Sequence, residues 1–199
     1  MRRYNGYKPE MSAGAREILP AGGYVVKIIS ARAEQSNFGE RLVIGFDVEE
    51  GDFRGFFKKD FDSNNRDDKK WRGVFRVNWP PENAPENEKW KVRAANDVMG
   101  AIEASNPGYK WDFNEQTLRG KLVGALYRNK EWEYNGMNGW TTECCKFTDV
   151  NSIRSGDFKT PKDKPLNKSN QANNNSYGNY SQQESQYQDY SAVDGDLPF

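Results

Sequence analysis

The chain has 199 residues, with 29 Lys plus Arg balanced by 29 Asp plus Glu and no His. A zero formal charge excludes binding by bulk positive charge, and the missing His removes the commonest general base and metal ligand. About a quarter of the chain is too polar to bury a core, which leaves one expected domain of about 150 residues.

Residues 1–19 read as an N-terminal arm, stopped by the turn cluster Pro20-Ala21-Gly22-Gly23. A strand is expected over Gly23–Ala31, and Ser36-Asn37-Phe38-Gly39 supplies hairpin chemistry. A second strand, Arg41–Glu49, alternates cleanly, with Leu42, Ile44, Phe46 and Val48 on one face. Glu50-Gly51-Asp52 turns the chain into an expected third strand, Phe53–Phe61, completing a meander. The region about 62–90 reads as an insertion with some order of its own, rich in Asn, Asp, Lys and Pro but broken by Trp71, Phe75, Val77 and Trp79. Val92, Ala95, Val98, Met99 and Ile102 recur at three and four residues, the spacing of one amphipathic helix ended by Ser105-Asn106-Pro107-Gly108. Two further strands, Lys121–Tyr134 and Trp140–Val150, flank a loop at Asn135–Gly139.

Three strands, a helix and then a hairpin is the order of a five-stranded OB-fold barrel, an all-β fold with one helix, expected here over residues 20–152. Past Val150 the composition shifts to Asn, Gln, Ser, Lys and isolated Tyr. Residues 153–193 are therefore expected to be a disordered linker, since such a segment buries too little apolar surface to offset its chain entropy. The last six residues, 194–199, form a distinct tip. Pro198 fixes its own φ, Leu197 and Phe199 are apolar, and Asp194 and Asp196 favour a basic docking site.

No phosphate-loop GxxxxGK[ST] or nucleophile-elbow GxSxG motif occurs, so neither an enzymatic activity nor a cofactor is expected. Asp60, Asp62, Asp67 and Asp68 alternate with Lys and Asn, the pattern of a solvated loop, and no metal is expected there; a nuclease would have to use these scattered carboxylates. The adjacent Cys144 and Cys145 suit neither a disulfide nor zinc, and read as small strand residues facing opposite sides. No apolar run is long enough for a membrane helix, and Met1-Arg2-Arg3 precedes polar residues instead of a signal-peptide core, so a cytoplasmic protein is expected.

Single-strand binders combine cations for phosphates with rings for bases, and this chain interleaves the two. On the expected third strand, Arg54, Phe56 and Lys58 share a face beside Lys59. The insertion adds Lys70, Trp71, Arg72, Phe75 and Arg76, and the last hairpin places Arg128, Lys130 and Trp132 on one side.

Two resemblances accompany these patterns. The ending Asp194-Gly195-Asp196-Leu197-Pro198-Phe199 resembles the acidic tip of bacterial single-stranded DNA-binding proteins, with Gly195 where another acid is usual. From about Leu19 to Val150 the chain resembles a phage-encoded OB-fold family related to single-stranded DNA-binding proteins. The likeness rests on Leu19-Pro20-Ala21-Gly22-Gly23-Tyr24, Gly55-Phe56-Phe57-Lys58-Lys59 with Lys70-Trp71, Ile102–Gly108 and Gly120–Gly124. The resemblance implies a largely sequence-independent single-stranded DNA binder in phage replication or recombination. It would work in the host bacterial cytoplasm as a monomer or homodimer and recruit partner enzymes through Asp194, Asp196, Leu197, Pro198 and Phe199. The alternative is an OB-fold adaptor for protein or RNA.

Overall fold

The computed structural model describes residues 17–37 and 39–166. In chain order the elements are β1 (Gly22–Ser36), β2 (Gly39–Val48), α1 (Phe56–Ser63), β3 (Val74–Asn78), α2 (Lys89–Ser105), β4 (Leu122–Tyr134), β5 (Met137–Thr148) and α3 (Val150–Ser155). Short 3-10 turns lie at Glu86–Glu88 and Glu115–Leu118. The strands form one antiparallel sheet in the order β3-β2-β1-β4-β5, so the two ends of the sheet are β3 and β5.

The alternation of β2 governs the core. Leu42, Ile44, Phe46 and Val48 all enter it, joined by Val26 and Ile28 of β1, Phe75 and Val77 of β3, Val123 and Ala125 of β4, and Phe147 of β5. A register shift between Ile28 and Ser30 interrupts the β1–β2 ladder, the kind of irregularity that lets a strand bend over a core. Although β3 and β5 share no ladder, Phe75 and Phe147 meet with ring centroids 4.5 Å apart. Phe147 also touches Phe46 at 5.9 Å, and Phe46 touches Phe57 of α1 at 5.8 Å. The apolar face of α2, with Ala94, Val98, Met99 and Ile102, packs into the same core.

The third strand is not where alternation placed it. Phe53–Phe61 was the expected strand, but α1 occupies Phe56–Ser63 and β3 lies inside the expected insertion. The helix starts because Gly55 turns the chain at φ 72° and the Asp47 carboxylate accepts hydrogen bonds from the backbone N–H of Phe57 at 2.9 Å and Lys58 at 3.1 Å. Asp47 therefore caps the helix from another element and satisfies donors that the first turn leaves free. Phe53, Phe56 and Phe57, spaced three and four apart, then pack on the inner side of one turn, a spacing that alternation does not detect. Gly73 precedes β3 because nothing larger fits: a Cβ there would lie 2.2 Å from the Phe46 carbonyl oxygen.

The last hairpin is tighter than expected. Its turn is Asn135-Gly136 alone, with φ of 49° and 76°, the left-handed pair that suits a two-residue hairpin. Cys144 is buried in the core and Cys145 is half-buried beside a register shift.

The expected boundaries at 19 and 152 also move. Leu19 is buried in the core, and its carbonyl accepts a hydrogen bond from Thr142 Oγ1 at 2.6 Å. Beyond 152, α3 lies over Gly23 and Gly124: Ile153 fills the space that a side chain at either glycine would take, and Phe158 adds to it at Gly23. The chain then runs beside β4, where Lys164 N–H donates to Asn129 O at 2.8 Å and Glu131 N–H donates to Lys164 O at 2.9 Å. Residues 153–166 thus belong to the domain and not to the linker. The rest of the expected linker, most of the arm and the whole tip at 194–199 lie outside the described residues.

Two substitutions test this packing by chemical denaturation. Phe147→Ala removes the ring joining Phe46 to Phe75 and is expected to cost about 3–5 kcal/mol. Gly124→Ala places a Cβ 2.6 Å from Ile153 Cγ1 and 3.0 Å from the Asp149 carbonyl, and is expected to cost about 1–3 kcal/mol. An unchanged midpoint for Gly124→Ala would show that α3 does not rest on β4.

Candidate nucleic-acid interface

Arg128, Lys130 and Trp132 alternate along β4 and face the same side of the β4–β5 hairpin, opposite Glu143, Thr141 and Gly139 of β5. The Glu143 carboxylate sits among three cations. Arg128 reaches Oε1 with Nη2 at 2.7 Å and Nε at 3.0 Å, Lys130 Nζ is 3.0 Å from Oε2, and Lys164 Nζ is 4.0 Å from Oε1. Three cationic side chains from two segments of the chain thus meet at one carboxylate. Next to it the Trp132 ring lies over Gly139, where a Cβ would come within 3.1 Å of the indole. The glycine lets the ring lie flat on the partner strand.

The ionisation of this cluster follows from its geometry. Burial alone pushes the Glu143 carboxyl up, but hydrogen bonds from Arg128 and Lys130 and the charges of Lys130 and Lys164 outweigh it, so the group lies below the usual carboxylate range. Lys164 is pulled down by burial and by Lys130 and Arg128, against the attraction of Glu143.

The other expected contact residues divide. Phe56 and Phe75 are buried in the core, where neither ring offers a face to a base. Trp71 is half-buried and anchored by an indole N–H hydrogen bond to Phe46 O at 3.0 Å. Arg72 is committed to Asp60, with Nε–Oδ2 at 2.8 Å and Nη2–Oδ1 at 2.6 Å, and also donates to Glu17 O. These four residues hold the fold together. Arg54 and Lys58 are exposed but paired, to Glu49 at 3.4 Å and Asp62 at 2.7 Å, while Lys59 and Lys70 are exposed. Because α1 is a helix, Arg54, Phe56 and Lys58 do not share a strand face. Arg76 is exposed on β3, opposite Val43 of β2, on the side of the sheet away from Phe75 and Val77. The structure thus gathers Arg128, Lys130 and Trp132 together and separates the remainder.

Several rings outside the expected set are accessible. Trp140 is 50% exposed opposite Glu131, and Tyr134 and Met137 flank the same hairpin tip. Phe113 is 78% exposed beside Trp111, in the connection between α2 and β4 that no periodicity singled out. Its position beside Asp112 and Asn114, two turn-forming residues, was the available signal.

Among the described residues no cluster of three or more His, Cys, Asp or Glu could hold a metal, and no helix is long and apolar enough to cross a membrane. No protein-family model and no curated protein sequence matches the chain.

The Glu143 cluster has a defined acid dependence. Its folded-state carboxyl lies below the ordinary value, so its contribution to stability is present above that value and disappears as pH falls through the lowered folded value. The stability difference between the wild type and Glu143→Gln, measured by denaturation across acidic pH, is expected to shrink as pH falls. A difference independent of pH would remove the cation cluster as its cause.

Proposed function

We propose that this chain is a single-stranded DNA-binding protein built on an OB-type barrel, with little sequence preference. The strand order β3-β2-β1-β4-β5, with α2 between β3 and β4, is that of a five-stranded Greek-key barrel opened between β3 and β5, which supports the OB reading. The observation that carries the function is the grouping of Arg128, Lys130 and Lys164 beside Trp132 on the last hairpin, because a phosphate and a stacked base are the ligands that cationic side chains next to a ring suit.

The mechanism is backbone neutralisation with stacking. Arg128, Lys130 and Lys164 take the place of counterions on the backbone phosphates, and the strand releases those counterions on binding. A base then lies on Trp132, and each stacked base contributes about 1–3 kcal/mol, which adds to the backbone contacts. A duplex keeps its bases inside and offers no rings to stack. In this reading the protein covers replication or recombination intermediates of a phage in the host cytoplasm, and the tip Asp194–Phe199 recruits partner enzymes.

A second reading, an adaptor for a protein or RNA, is favoured by the exposed Tyr134, Met137 and Trp140 at the hairpin tip. Trp fluorescence quenching by oligo-dT against oligo-U separates the two.

Fluorescence anisotropy with oligo-dT and a matching duplex tests the proposal. The single strand is expected to bind more tightly, with affinity falling as salt rises. Lys130→Ala is expected to weaken binding and reduce the log-log salt slope by about 0.7, the value of one phosphate contact. Equal binding to both forms, or none, overturns the reading.

A further inference from the structure

At the other end of β1 from the hairpin, Ala33, Glu40, Arg41, Leu42, Trp79, Trp111, Phe113 and Glu115 line an open hollow of about 100 Å³. Gly22 of β1 pairs with Tyr127, next to Arg128, whereas Ala33 pairs with Leu42 at the hollow. Eleven residues of strand separate these levels, up to roughly 35 Å at about 3.3 Å per residue, so the hollow is a separate place on the surface.

Three features show what it lacks. The Trp111 indole N–H is shielded from solvent and has no hydrogen-bond partner among the described residues, an unfavourable state for a buried donor. Phe113 has a φ of 62°, a left-handed backbone that bulky side chains avoid, yet its ring stands 78% exposed, with its centroid 6.0 Å from that of Trp111. Glu40 and Glu115 have no side-chain hydrogen bond or ion pair among the described residues, because Arg41, the cation in the hollow, is held by Glu34. An unpaired donor, unpaired carboxylates and an accessible ring face therefore stand together. Trp79 forms the opposite wall, its indole edge-on to Trp111 at 6.1 Å and its backbone N–H donating to Glu40 O.

We propose that this hollow is a nucleobase pocket that takes guanine of a bound single strand by its Watson–Crick edge, a proposal that rests on the single-strand reading above. Guanine presents a carbonyl acceptor next to two donors. O6 accepts from Trp111 once the exposed Phe113 ring shifts to admit it, N1–H and the N2 amino group donate to Glu115 or Glu40, and the purine stacks on Phe113. Thymine sets a carbonyl on each side of its single N–H, so a carboxylate meets a lone pair. Cytosine and adenine place a ring acceptor beside the amino group, with the same conflict. The two carboxylates also repel phosphates, which excludes the backbone as the occupant.

The full chain titrated with oligo-dT, and with the same oligomer carrying one central dG, tests the pocket. The dG oligomer is expected to bind about tenfold more tightly, the scale of one bidentate base contact. Phe113→Ala, a change at an exposed ring that spares the core, is expected to remove the dG gain and leave oligo-dT affinity unchanged. The double change Glu40→Gln with Glu115→Gln is expected to do the same. Equal affinity for the two oligomers, the same gain from dA or dC, or a gain that survives Phe113→Ala overturns the pocket while leaving the single-strand reading intact. Absence of binding to either oligomer overturns that reading, and the pocket with it.

Discussion

The contact between Phe75 and Phe147 is the constraint on which the rest of this molecule depends. A five-stranded sheet in the order β3-β2-β1-β4-β5 leaves two edges and one apolar face, and that face must be covered. The two end strands share no hydrogen-bond ladder, so side chains cover it. Phe147 joins Phe75 of β3 to Phe46 of β2, and Phe46 continues to Phe57 of α1, which stacks on Tyr127 of β4. These rings bring together four strands and a helix with no main-chain pairing between the edges. Fixing both edges holds the β4–β5 hairpin at a set position relative to β3.

What could be read from the sequence follows how each element buries its surface. The alternation of β2 was legible because one of its faces is wholly core, and α2 was legible because its apolar residues keep a helical spacing over several turns. Phe53–Phe61 alternates just as well, yet part of it is a helix. The deciding interaction comes from Asp47, which caps the first turn from outside the segment, and a local pattern cannot contain that contact. The strand at Val74–Asn78 was masked by the polar residues around it, although Phe75 and Val77 alternate with Arg76. Composition misplaced the domain end for a similar reason. Ile153 and Phe158 are two apolar residues in a polar stretch, too few to shift an average, but they fill the spaces left by Gly23 and Gly124.

The same logic applies to the candidate site. Alternation correctly grouped Arg128, Lys130 and Trp132 because the hairpin keeps its register from Tyr127 to the turn. It failed for Phe56 and Phe75, since a ring beside a cation in sequence is as much a core signature as a stacking one. Only burial separates the two. The Trp111–Phe113 hollow had no periodic signal at all, because a strained loop between a 17-residue helix and a strand has no period to read.

Net charge is the wrong measure of this surface, and the ion pairs explain why. Lys58 with Asp62 and Arg154 with Glu50 each match one cation to one carboxylate. Such pairs leave no local excess, and the exposed ones add little to stability. At Glu143 the arrangement differs, since Arg128, Lys130 and Lys164 all address one carboxylate. The hollow at Trp111 differs again, because Arg41 is committed to Glu34 and two carboxylates are left over. The two ends of one strand therefore differ, with cations gathered about Glu143 at one and two carboxylates in the hollow at the other. In the proposed reading the first meets a phosphate and the second the donor edge of a base, so one strand with exposed bases engages both.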